Sequence, residues 1–187
     1  MATLKPHEER FSAVLSELCA HTIDVVTYIK DSGYESPNPV LIELAKLFID
    51  NYDFKVKIEK FIEESNTHWD QILDKNEDFF IHNAGCIFSG KVSMENIDMF
   101  SSIFGLKNKK GKNVMDDESR QAFWSYLHSM VKISIKYIHD ERSPYKIIEN
   151  GEIIEDYNYE YVEHIDVKEL SRKWKIELIF PEADPDE

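Results

Sequence analysis

The sequence predicts a mainly α-helical protein, a bundle around one central buried helix with a small β-hairpin and strand appended. Apolar residues recur at three- and four-residue steps through most of residues 1–143, which is the spacing of amphipathic helices. Residues 123–139 are apolar around most of the helix circumference, as expected of a helix enclosed by others. An Asn150-Gly151 pair between two β-branched runs indicates a tight hairpin turn in the last part of the chain.

These patterns divide the chain near Pro144. We expect a helical domain over residues 1–143 and a β-containing arm over residues 144–187. The arm is rich in tyrosine and acidic, with 13 acidic and five basic residues from position 146 onward. A chain of 187 residues can bury about 70% of its unfolded surface, so its stability requires neither a disulfide nor a metal.

The first three helices have recognisable ends. Helix one is predicted from about His7 to Lys30, and Gly33 can close it in the left-handed conformation. Pro39 suits the first turn of helix two, where its missing N–H breaks no hydrogen bond. Asp53 is expected to cap helix three, whose apolar positions are Phe54, Ile58, Phe61 and Ile62.

Three shorter helical segments are expected next. Residues 66–73 form one after a break near Asn66, with Trp69 facing inward. Residues 76–88 form the second, which Gly85 weakens, and residues 93–104 form the third.

The central helix follows Asp116 or Asp117, either of which can cap it. On a helical projection its apolar side chains fill an arc of about 200°. Ser134 falls within this arc, and we expect its hydroxyl to bond to the carbonyl of Met130. The remaining arc is a polar ridge, which holds Ser125, His128, Ser129, Lys132, Lys136 and His139.

A run of lysines precedes the central helix. Four positive charges fall within six residues, at Lys107, Lys109, Lys110 and Lys112. We expect a solvated loop, the one segment of the chain suited to a phosphate or an acidic partner. It has no interleaved aromatic residues on which bases could stack.

The charge balance restricts the partners. With 22 basic and 36 acidic residues the net charge is −14, which repels nucleic acid and anionic membrane at long range. We therefore expect a protein partner, either a basic protein or another copy of this chain. No secretory signal or membrane-spanning run is recognised, so the expected location is the cytoplasm or a virion.

The sequence offers little catalytic chemistry. It has no glycine-rich phosphate loop and no nucleophile elbow, and we expect no cofactor and no metal. His82 and Cys86 have the spacing of two metal ligands, but without a second pair they favour a surface imidazole and a packed thiol. Cys19 and Cys86 are both expected to be reduced.

One catalytic alternative stays open. The pair His139-Asp140 at a helix end resembles the signature of the HD phosphohydrolases, helical metal-dependent enzymes with a His…His-Asp…Asp pattern. The resemblance implies a metal site made by the pair with an upstream histidine and a distal aspartate: His82 or His68, and Asp156 or Asp166. The family's glycine-containing segment after the pair is replaced by Glu141–Pro144. We favour a structural role, with a charged His139 at the negative end of the helix.

Two segments resemble small helical proteins of large nucleocytoplasmic DNA viruses. They are IEESNTHWDQI…DFF, residues 62–80, and SMVKISIKYIHDERSP, residues 129–144. The resemblance implies a viral origin and a role in virion architecture or in the infected cytoplasm.

The favoured function is therefore a non-enzymatic interaction or structural protein that binds through its acidic surface and its arm. Strand addition and aromatic contacts suit such an arm, and the candidate contact residues are Tyr157, Tyr159, Tyr161, Trp174 and Phe180. Whether the arm packs on its own bundle or on a partner is left open. The alternatives are the HD-type phosphohydrolase, using His82, His139 and Asp140, and an acidic decoy for a basic nucleic-acid-binding protein.

Overall fold

The chain is mainly helical, as predicted. The structure is a computed structural model that describes residues 6–35, 43, 46, 50–83, 103–139, 145–149, 151–153 and 174–178. Side-chain positions are not described for His139, and among the residues of the strands they are described only for Ile148 and Glu152.

Five helices and three strands have defined bounds. The helices are α1 (His7–Asp31), α2 (Phe54–Ser65), α3 (Trp69–Leu73), α4 (Glu77–Asn83) and α5 (Asp117–His139), and a 3-10 turn (Asn66–His68) links α2 to α3. The strands are β1 (Tyr145–Glu149), β2 (Glu152–Ile153) and β3 (Trp174–Leu178). Residues 43, 46, 50 and 103–105 are also helical.

Helix α1 ends where Gly33 was expected to close it. Gly33 has φ +82°, and its N–H donates to the carbonyl of Lys30 at 2.9 Å. The N–H of Tyr34 donates to the carbonyl of Ile29 at 3.2 Å. The two bonds satisfy carbonyls that the helix end would otherwise leave without a partner.

Helix α2 begins at its predicted cap but places one residue differently. The Asp53 carboxylate accepts from the Lys55 N–H at 2.8 Å. Ile58, Phe61 and Ile62 are buried as expected. The exception is Phe54, which is 47% exposed.

Helix α3 is anchored by Trp69 and ends in a strained conformation. The Trp69 indole N–H donates to the Ser65 hydroxyl at 2.8 Å, so this buried ring has no unpaired polar atom. Lys75 ends the helix at φ +53°, a conformation that suits glycine better. Its N–H donates to the carbonyl of Ile72, and its ammonium group reaches Gln121 on α5 at 2.7 Å.

Helix α5 supplies more of the described core than any other helix and packs mainly on α1. Asp116 caps it, because its carboxylate accepts from the Ser119 N–H at 2.7 Å. The core contribution of α5 is Phe123, Trp124, Leu127, Met130, Val131, Ile133, Ile135, Tyr137 and Ile138. The expected bond of Ser134 was wrong: its hydroxyl is fully buried and has no hydrogen-bond partner.

The three strands form one antiparallel sheet in the order β2-β1-β3. In β1, Ile148 pairs with Ile153 of β2, and Tyr145 pairs with Leu178 of β3. Strand β1 lies near α5 and β3 lies near the 3-10 turn. The division into domains at residues 143 and 144 stays a prediction.

Candidate functional site

The lysine run is an ordered hairpin, not merely a solvated loop, and we call residues 106–114 the lysine hairpin. Its two sides pair through the Val114 N–H, which donates to the Leu106 carbonyl at 2.9 Å, and through the Asn108 N–H, which donates to the Lys112 carbonyl at 2.8 Å. Gly111 closes the turn at φ +74°, with its N–H on the carbonyl of Asn108.

Asn108 organises the tip of the lysine hairpin. Its side-chain oxygen accepts from the backbone N–H of Lys110 at 2.9 Å and of Lys112 at 3.1 Å. The turn comprises four residues, with Asn108 at its first position and Gly111 at its fourth. Asn and Gly are favoured at these two positions of a β-turn. The signal was therefore present in Asn-Lys-Lys-Gly, but the lysine charges drew the interpretation toward a loop.

The base of the lysine hairpin is fixed to the core. Ile103, Phe104 and Met115 are buried on either side of it, and Leu106 and Val114 pack against the same cluster. The tip points the other way, because Lys107, Lys109, Lys110 and Lys112 are all exposed.

Arg120 connects the base of the lysine hairpin to α4 and α5. This role of Arg120 was not identified from the sequence. The guanidinium group is buried; it donates to the Phe104 carbonyl and forms an ion pair with Glu77 at the start of α4. It lies three and four residues before Phe123 and Trp124, hence on the core face of α5. That spacing was the available signal.

His128 was expected on the polar ridge, but it is half-buried against α3. Its Nε2 lies 3.0 Å from the carbonyl oxygen of Ile72, and because a carbonyl can only accept, Nε2 carries the proton. Removal from water lowers the pKa of His128, and the positive charges of Lys75 and Lys132 lower it further; the bond to Ile72 opposes this shift.

His21 makes a similar bond between α1 and α5. Its Nε2 lies 3.0 Å from the carbonyl oxygen of Ser119, and its ring centroid is 5.9 Å from that of Tyr126. The N–H bond from Ser119 is the main cause of a lowered Asp116 pKa, to which the charge of His21 also contributes. A small apolar cavity adjoins His21 and is no larger than one water molecule.

Ser12 and Lys57 form a buried polar pair between α1 and α2. The Lys57 ammonium group donates to the Ser12 hydroxyl at 2.8 Å and lies 5.1 Å from the centroid of the Phe54 ring. A serine-lysine pair is also a nucleophile-base combination. Ser12, however, lies inside α1, where the neighbouring backbone N–H groups are engaged in the helix and cannot bind an oxyanion. The pair is best explained as packing between the two helices.

The residues of the catalytic alternative are only partly described. His82 is exposed on α4 with its Nδ1 2.7 Å from the Asp78 carbonyl oxygen. The ring centroid of His68 lies 5.1 Å from that of Phe79, with the two rings tilted by 43°. His139 is the last residue of α5, and Asp140, Asp156 and Asp166 lie outside the described residues. The HD-type site therefore stays a prediction.

The residues that the structure describes include one cysteine and many His, Asp and Glu side chains. Among these residues, no group of three or more His, Cys, Asp and Glu side chains is placed to hold a metal ion. Cys19 is a free thiol whose pKa burial raises to about 11, with Lys46 opposing and Asp50 reinforcing that shift. Cys86 lies outside the described part of the chain.

The candidate contact residues of the arm are also mostly outside it. Trp174 begins β3 and pairs in register with Glu149, whereas Tyr157, Tyr159, Tyr161 and Phe180 are not described. None of the described helices combines the length and the apolar composition needed to cross a membrane.

Comparisons with protein-family models, with curated proteins and with solved structures found no match to this chain.

Proposed function

We propose that this chain is a non-enzymatic interaction or structural protein that binds proteins through its acidic surface and its C-terminal arm. The observation that supports the proposal is that polar side chains among the described residues bind the backbone of neighbouring elements. His21, His128 and Arg120 each bind a backbone carbonyl of a neighbouring element. These side chains thus hold neighbouring elements together, and the four lysines of the lysine hairpin are exposed.

In this proposal residues 1–143 form a bundle around α5, and residues 144–187 form the arm that includes the three strands. The charge of the arm supports this role, since 13 acidic residues face only five basic ones from position 146 onward. Such a segment attracts a basic surface, either on another protein or on another copy of the chain. The cytoplasm or a virion is the setting that the viral resemblance implies.

The proposed role of the arm can be tested at three of its candidate contact residues, Tyr157, Tyr159 and Tyr161. Tyrosines contribute rigid contact area at interfaces, so replacing all three by serine should weaken association and leave the helices intact. In sedimentation velocity, we expect the unmodified chain to gain mass with concentration and the triple variant to gain less, with equal helical circular dichroism. A variant that associates as the unmodified chain does, or one that loses its helical signal, would contradict the proposal.

A further inference from the structure

We infer that the lysine hairpin is the surface that binds the acidic segment 182–187 of a second copy of this chain. The inference rests on the proposed function and gives the arm a specific partner. It starts from one juxtaposition: a chain of net charge −14 holds four lysines on a single ordered turn.

Contacts within the protein fix the conformation of the lysine hairpin in the absence of a ligand. Asn108 fixes the backbone of Lys110 and Lys112, and the buried residues on either side hold its base. A preorganised surface loses less conformational entropy on binding than a mobile loop does. Holding four like charges together is unfavourable in the unbound chain, so a bound anion relieves a repulsion that the fold maintains.

No described residue neutralises the charge of the lysine hairpin. None of its four ammonium groups makes an ion pair or a hydrogen bond in the structure as described. Asp116, Asp117 and Glu118 follow it in sequence, but the Asp116 carboxylate is engaged with the Ser119 N–H. As far as the described residues are concerned, the four lysines thus remain available to an anion.

The side-chain types favour a short acidic peptide as that anion. Arginine would provide the planar fork that binds phosphate bidentately, and aromatic rings would stack on bases, but the tip of the lysine hairpin has neither. Outside the four lysines the chain carries a net charge of −18, since the total of −14 includes them. A nucleic acid or a membrane extends past the lysine hairpin and meets this charge.

The chain itself supplies a peptide that matches. Residues 182–187 carry four carboxylates in six residues, at Glu182, Asp184, Asp186 and Glu187, against four ammonium groups in six. Because none of the described residues pairs with the lysines, we assign the matching segment to a second copy. Such a contact joins two different surfaces, so it either closes by reciprocal exchange between two copies or continues from copy to copy, and it weakens as salt is added.

Charge reversal on the full chain tests the inference. One variant carries Lys107→Glu, Lys109→Glu, Lys110→Glu and Lys112→Glu; the other carries Glu182→Lys, Asp184→Lys, Asp186→Lys and Glu187→Lys. By sedimentation velocity at low salt, we expect the unmodified chain to self-associate and each variant alone to sediment as a single chain. An equimolar mixture of the two should recover the mass of the unmodified chain, because each then offers the charge that the other needs.

Two control variants separate local pairing from total charge. The first reverses four exposed lysines elsewhere, Lys30, Lys55, Lys60 and Lys132, and the second reverses four exposed acids, Glu17, Asp24, Asp31 and Glu63. Both should associate as the unmodified chain does. Circular dichroism checks that all variants keep their helices.

Three results would overturn the inference: a single chain from the unmodified protein, association by either variant alone, or a mixture that stays monomeric. If only the mixing experiment fails while the tyrosine variant still weakens association, the proposed function stands and the lysine hairpin is not its partner. If binding to a single-stranded oligonucleotide or to anionic vesicles is lost on reversing the hairpin lysines, a polyanion replaces the second copy and the inference falls.

Discussion

The imidazole of His128 on α5 binds the carbonyl oxygen of Ile72 near the end of α3, with 3.0 Å between Nε2 and oxygen. The same carbonyl accepts from the Lys75 N–H at 3.1 Å, so one side chain and one backbone group together complete the end of this short helix. A polar residue of the central helix thereby fixes the position of a helix 56 residues away in sequence.

This contact predicts a pH dependence of stability. Because the pKa of His128 is lower in the folded chain than its ordinary value near 6.5, the unfolded chain binds more protons in that range. The stabilising contribution is complete above about pH 6.5 and is lost as the pH falls through the lowered pKa of the folded state. We expect thermal unfolding of the unmodified chain to shift downward accordingly.

The matched variant is His128→Gln, whose amide can donate to the same carbonyl but does not titrate. Its melting temperature should fall less steeply than that of the unmodified chain between pH 7 and 5, so the difference between them narrows with acid. Parallel curves over this range would show that His128 does not carry the effect.

Removal of the buried Arg120 side chain should lower the stability of the fold. Arg120→Ala leaves the Phe104 carbonyl buried without its donor and separates α4 from the base of the lysine hairpin. We expect a loss of about 1–3 kcal/mol in the free energy of unfolding by urea. The exposed pair Lys55–Glu59 provides the comparison, since Lys55→Ala should change that free energy by no more than about 0.5 kcal/mol. Equal effects of the two substitutions would refute the role assigned to Arg120.

Two fully buried serines should respond to alanine in opposite directions. Ser65 donates to the Phe61 carbonyl and accepts from the Trp69 indole, so Ser65→Ala should cost about 1–3 kcal/mol. Ser134 has no partner, so Ser134→Ala removes an unsatisfied hydroxyl and should be neutral or stabilising by about 1 kcal/mol. Urea unfolding of both variants measures the contrast, and a clear loss in Ser134→Ala would mean that its hydroxyl is bonded in solution.

Asn108 should control the order of the lysine hairpin without controlling the fold. Asn108→Ala removes the acceptor of the Lys110 and Lys112 N–H groups, so both amides should exchange with solvent faster. The free energy of unfolding should fall by about 1 kcal/mol or less, because water can replace an exposed acceptor. Asn113→Ala keeps the backbone bridge to Lys107 and serves as the control, with exchange rates expected to stay unchanged.

Local signals predicted the elements that depend on near neighbours in sequence. The caps at Asp53 and Asp116 and the closure at Gly33 follow from the conformation that each position requires, and all three hold in the structure. The burial of Phe123 and Trp124 likewise follows from helical spacing.

Contacts between distant elements could not be read in the same way. His128 and Arg120 have partners on other elements, so a helical projection shows their direction but not the carbonyl that each one meets. Phe54 has the spacing of a core residue, but it is 47% exposed. The lysine hairpin differs from these cases. Asn108 and Gly111 are local signals for a turn, but the run of lysines favoured the interpretation as a solvated loop.

We propose that this chain binds a second copy through complementary charge, between the lysine hairpin and residues 182–187. Sedimentation equilibrium of the unmodified full chain, across protein concentration at low and at high salt, tests it most directly. We expect an average mass above that of one chain at low salt, which rises with concentration and returns to one chain at high salt. A mass of one chain under all these conditions, or an association that strengthens with salt, would contradict it.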